Sequence, residues 1–80
     1  MYKTEVRSSE DLRWEAVKFK KFLEKATERG KNLQIIVEHR NFTITCLDGL
    51  IKLIGQLKVI LLPDFVLGKK VSVSVSFKDK

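Results

Sequence analysis

The chain has very little of what usually announces a chemistry. Its 80 residues include one cysteine, one histidine, one proline and one tryptophan. A lone cysteine excludes an internal disulfide framework. Cys46 alternates with Phe42 and Ile44, which predicts a small buried core residue rather than a reactive thiol. His39 stands alone between Glu38 and Arg40 in a predicted turn. A metal site normally needs three or four convergent ligands, and no His/Cys cluster supplies them, so neither metal nor cofactor is expected. No Ser-His-Asp set can be assembled, so no catalytic residues are assigned and an enzyme is not expected. The glycines at 30, 49, 55 and 68 are scattered and form no phosphate-cradling loop. The longest apolar run, Val59 to Leu62, is far too short to span a bilayer. Met1-Tyr2-Lys3-Thr4-Glu5 leads into no apolar signal segment, so a cytoplasmic protein with no membrane role is the expectation.

What is present is charge and periodicity. Sixteen basic against ten acidic side chains leave a net charge of +6. That excess suits an acidic protein surface, nucleic acid or another anionic surface, without choosing among them. The basic residues are dispersed, with only Lys20-Lys21 and Lys69-Lys70 adjacent. The length predicts a single domain over residues 1–80, near the lower limit for a self-sufficient core.

Tyr2, Thr4 and Val6 alternate and predict a short first strand. Ser8-Ser9-Glu10-Asp11 then reads as a helix entrance, with a serine cap and acids at the positive end of the dipole. Leu12, Ala16, Phe19, Phe22, Leu23 and Ala26 fall on one face of a helix running to about Arg29, with Gly30 as a left-handed cap. Leu33, Ile35 and Val37 alternate, Glu38-His39-Arg40-Asn41 turns the chain, and Phe42, Ile44 and Cys46 alternate on the return. Asp48-Gly49 opens a second helix with Leu50, Ile51, Ile54 and Leu57 as its apolar positions. From Lys58 to Gly68 the pattern is irregular. Pro63 interrupts regular structure there, and Asp64 can cap a short helical turn. Val71, Val73 and Val75 alternate with serines 72, 74 and 76, a half-buried strand ending at Phe77.

The element order is therefore β-α-β-β-α-β, an α+β fold with an open-faced antiparallel-type sheet and its helices on one face. The other face should be wet, carrying Thr43, Thr45 and the three serines. The ferredoxin-like fold shares this order and is the runner-up.

The hairpin, the second helix and the last strand resemble the histidine-containing phosphocarrier (HPr) family of the sugar phosphotransferase system. In that family a small apolar helix opens near a Ser-Ile-Met-Gly run, and Cys46-Leu47-Asp48-Gly49-Leu50-Ile51 occupies its place here. Gly68-Lys69-Lys70-Val71-Ser72-Val73-Ser74-Val75 resembles the family's Gly-x-x-Val-Thr-Ile-x-Val strand. The likeness covers about two-thirds of the chain and rests on pattern rather than rare residues. The departures bear on function. Where the family has its phosphoacceptor in a His-Ala-Arg-Pro-Ala run, this chain reads Glu10-Asp11-Leu12-Arg13-Trp14-Glu15-Ala16-Val17, with neither histidine nor proline. Cys46 matches the family's regulatory serine at the second-helix entrance, with Asp48 close by. The family's third helix, after the last strand, has no counterpart, and about nine additional residues around Leu62-Pro63 precede that strand instead. They are expected to cover the sheet in its place. The resemblance thus implies a relative without phosphotransfer chemistry.

Trp14 falls off the core arc of the first helix, on a stripe with Lys18, Lys21 and Lys25. An exposed tryptophan over lysines makes a contact surface for an acidic partner. The competing reading folds Trp14 back over the first strand or the Pro63 loop. HPr-like proteins dock partners through the start of this helix and through the second helix, and the resemblance implies the same here. The expected role is a protein-binding or regulatory module; the alternative is a small basic nucleic-acid-binding protein. The wet face carries no aromatic platform for stacking bases, which weighs against that alternative. Leu61, Leu62, Phe65, Val66 and Leu67 are a heavy apolar load for a loop, so a homodimer through this region is a further expectation.

Overall fold

The computed structural model describes residues 2–80. Strand β1 (Tyr2–Val6) leads into helix α1 (Ser9–Glu28), then the hairpin of β2 (Lys31–Val37) and β3 (Arg40–Ile44). Helix α2 (Leu47–Ile60), the short helix α3 (Leu62–Val66) and strand β4 (Val71–Asp79) complete the chain. The four strands form one antiparallel sheet in the order β1-β4-β2-β3. The last strand is thus central, with Val75 flanked by Tyr2 and Ile35.

Strict alternation sorts the sheet into two faces. Val6, Leu33, Ile35, Val37, Ile44, Val71, Val73 and Val75 are buried beneath the helices. Opposite them, cross-strand rows such as Ser76–Gln34–Thr43 and Ser74–Ile36–Asn41 make a face of hydroxyls and amides that also carries Ile36. Helix α1 closes the sheet with Leu12, Phe19, Leu23 and Ala26, and α2 does so with Leu50, Leu53, Ile54 and Leu57. No polar or charged side chain is buried among the described residues. Cohesion therefore rests on apolar burial, at about 1.5–3 kcal/mol for each large side chain taken fully from water.

Local chemistry sets the boundaries of α1. The Ser8 hydroxyl accepts from the Asp11 N–H at 3.2 Å, and the Asp11 carboxylate accepts from the Arg7 N–H at 2.9 Å. The first bond satisfies a donor that a helix start leaves free, and the second ties the residue before the cap to the first turn. Gly30 stops the helix at φ 67, where a Cβ would be strained.

Seven expectations from the sequence need correction. The order is β-α-β-β-α-α-β, because the Lys58–Gly68 stretch is largely helical. Pro63 sits in the first turn of α3, where its missing N–H costs nothing, so it starts a helix rather than interrupting one. Asp64 caps nothing there; Leu61 holds the N-cap position without a side-chain bond, and α3 has α2 as its main neighbour. The hairpin turn is two residues, Glu38 and His39, with Arg40 already paired to Val37 and Glu38 held at φ 56. Cys46 is exposed: β3 ends at Ile44, and Cys46 lies beyond the sheet as the N-cap residue of α2. On α2, Leu53 takes the core position expected of Ile51, which is 61% exposed. Thr43 lies on the open face as expected, whereas Thr45 is exposed past the end of β3.

Candidate functional site

The outward face of α1 divides into parts with different surroundings. Glu15 and Lys18 turn toward β1. The Tyr2 hydroxyl donates to Glu15 Oε2 at 2.7 Å, Thr4 donates to Oε1 at 3.1 Å, and Lys18 Nζ donates to the Tyr2 oxygen at 3.1 Å. Lys18 also lies 3.7 Å from Glu15 and 5.5 Å over the Tyr2 ring. The hydrogen bond to Tyr2, followed by the charge of Glu15, raises the Lys18 pKa above the ordinary lysine value. This cluster pins the first strand to the first helix. Lys25 lies farther along, in a cleft of about 280 Å³ shared with Tyr2, Phe22 and Phe77. Arg29 is stacked 5.2 Å over the Phe77 ring at the edge of the same cleft.

Trp14 and Lys21 remain open. Trp14 is 67% exposed and does not fold back over β1 or α3. Neither Lys20, Lys21 nor Lys25 makes an ion pair among the described residues. The stripe of Trp14, Lys18, Lys21 and Lys25 is thus one arc on the helix but not one surface in use. Lys18 belongs to the β1 network, and Trp14 and Lys21 face water.

One turn beyond Trp14, Val17 is exposed and faces α2 across a groove of about 500 Å³. Ala16, Leu50, Ile54 and Gly55 form its bed, Val17 and Ile51 its projecting apolar groups. Its charged lining residues are Lys20 and Lys58, and no carboxylate lines it. Gly55 is informative. It lies inside α2, where glycine costs about 0.8–1.0 kcal/mol relative to alanine. A Cβ there would meet nothing within 4 Å, so packing inside the chain does not require the glycine.

The sequence places Ala16, Leu50, Ile51 and Ile54 among core positions and does not single out Val17 or Gly55 as part of a site, although Leu47, Ile51, Gly55 and Val59 recur every four positions, which marks a second stripe on α2. At the α2 entrance, Cys46 and Asp48 are exposed; Cys46 makes no side-chain cap bond and borders a shallow cleft with Glu24 and Glu28. Asp48 lies in the first turn, where its charge suits the helix dipole. His39 is exposed in the hairpin turn. Among the described residues no group of three or more His, Cys, Asp or Glu could hold a metal ion, and no helix is long and apolar enough to cross a membrane.

Set beside known proteins, the chain matches no family model, no curated protein and no solved structure.

Proposed function

We propose that this protein is a non-catalytic docking module that receives an acidic protein surface on the outer face of α1 and the adjoining groove against α2. The observation that carries the reading is the combination in that groove: exposed Val17 and Ile51, lysines from both helices, and no carboxylate in the lining. Trp14 stands beside it as an exposed aromatic of the kind that anchors interfaces. Lys20 and Lys21 have no ion-pair partners within the described chain, so a partner's carboxylates meet cations that are not already engaged. The related reading of the fold is a phosphocarrier-like shape without the acceptor histidine. It rests on the residues quoted for the resemblance, and the open antiparallel sheet is compatible with it.

The test is capture from a cell extract at low ionic strength by the wild-type chain and by the double variant Trp14→Ala, Lys21→Glu. Lys21 replaces Lys18 as the charge to invert, because Lys18 supports the β1 network. The expected result is a captured protein that leaves the column as salt rises and does not bind the double variant. The single tryptophan also reports binding directly through its fluorescence. An unchanged set of captured proteins would rule out this face. A mixed oligonucleotide retained equally by both forms would move the function to nucleic acid.

A further inference from the structure

The second exposed apolar region is the corner where α2 meets α3. Val59 is 74% exposed, Ile60 40%, Leu62 53%, Val66 77% and Leu67 70%. All five lie on the last turn of α2, on α3 or at its C-cap. Beneath them Leu61 is fully buried and Phe65 packs against the core, so the corner is anchored and not a loose loop. We propose that this corner is the interface of a symmetric homodimer, and that its occupant is the same corner of a second copy.

Two arguments select a second copy over a different partner. The first is electrostatic. Between Val59 and Leu67 the one charged residue is Asp64, and Lys69 and Lys70 follow the patch in sequence. A surface that carries an acid and bases around an apolar centre is complementary to itself under twofold rotation, since each Asp64 meets the lysines of the other copy. The α1–α2 groove has no such property. It offers lysines alone and repels its own copy in a chain of charge +6. The second argument is area. The five exposed residues present on the order of 500 Å² per copy, so a symmetric pair removes about 1,000 Å² from water, the lower bound for a specific interface. An interface of that size belongs to a weak, reversible dimer, and its apolar centre fits the more hydrophobic character of homodimer contacts.

The dimer leaves the docking face free. Trp14 and Val17 are on α1, outside the corner, so both contacts can be made at once. A dimer would then present two docking faces to a bivalent partner, which raises avidity without any new contact.

The experiment is sedimentation equilibrium on the full chain from micromolar to millimolar concentration, for the wild type and the variants Val66→Lys, Val59→Lys and Trp14→Ala. Val59 and Val66 are about three-quarters exposed, so neither lysine disturbs the core. At Val66 the lysine also suits the C-terminal end of α3. The expected mass rises from 9.3 kDa toward twice that value as the wild type is concentrated. Both lysine variants stay at the monomer mass, and Trp14→Ala dimerises like the wild type. A wild type that remains monomeric at millimolar concentration overturns the proposal. So does a dimer that survives both lysine substitutions, or one that is lost in Trp14→Ala.

Discussion

The α1–α2 groove and the α2–α3 corner are built from the same few apolar residue types and both face water, yet their charges differ. Lysines are the only ionised residues lining the groove, whereas the corner carries Asp64, with Lys69 and Lys70 following in sequence. Their beds differ as well. The groove is floored by small residues, Ala16 and Gly55, over the buried Leu50 and Ile54. The corner rests on the buried Leu61 and presents exposed valines and leucines to water. A groove with one sign of charge suits an unlike partner, and a patch that carries both signs suits a copy of itself. Exposed hydrophobicity alone would have merged the two regions into one patch.

The largest expected effect separates what the corner does for the fold from what it offers outward. Leu61 is fully buried and Leu62 is half exposed, although they are neighbours of identical chemistry. Leu61→Ala should lower unfolding stability by about 2–5 kcal/mol, the range for a buried leucine leaving a cavity. Leu62→Ala should stay within about 0.5 kcal/mol when measured below the concentration at which dimers form. Urea denaturation of both variants checks this. Equal losses would mean that the corner is core on both sides, and the contrast with the groove would collapse.

That pair of leucines also marks where the sequence stops being legible. The alternation of Leu33, Ile35 and Val37 and of Val71, Val73 and Val75, and the arc from Leu12 to Ala26, each follow one period over one exposed and one buried side. They could be read directly, as could a cap at Ser8 or Ser9, which the structure places on Ser8, and the stop at Gly30. Helix α2 is apolar on more than one side, so periodicity is ambiguous there. Ile51 lies about 100° from Leu50 around the helix axis and Leu53 about 60° on the other side, and only tertiary packing decides that Leu53 faces the sheet. The alternation through Cys46 misled for another reason. The backbone stays extended at φ −153 after strand pairing has ended, so the period continues while burial does not. Lys18 resembles Lys21 in sequence, and nothing local reveals that Tyr2, sixteen residues earlier, holds it.

A smaller effect tests whether the groove's shape matters as much as its charge. Gly55→Ala should stabilise the fold by about 0.5–1 kcal/mol, because alanine favours the helix interior and its Cβ meets nothing within 4 Å. The same methyl group narrows the groove bed, so retention of an acidic partner should fall while the thermal midpoint rises. Opposite signs in the two measurements would place the cost of this glycine at the docking step. A variant that gains stability and binds as before would leave the groove defined by its lysines alone.

The smallest effect concerns the lysines beside the groove and asks which of them belong to the fold. The Tyr2 hydroxyl and, after it, Glu15 raise the Lys18 pKa, so the protonated form is favoured in the folded state. A group whose folded pKa exceeds its unfolded value contributes stability that is fully present below the unfolded pKa and is lost as pH rises through the folded one. Lys18→Met should therefore be slightly less stable than the wild type from neutral pH to about 10, the lysine reference value being about 10.4. The gap should close above that as Lys18 loses its proton. Lys18 is exposed at the surface, so solvent screening keeps the difference small. Lys21→Met, with no partner to lose, should track the wild type across the whole range while weakening retention of an acidic partner. Chemical denaturation of the three proteins at a series of alkaline pH values reads both curves. If Lys21→Met showed the same closing gap, the division of this helix into a fold-supporting side and a docking side would be wrong.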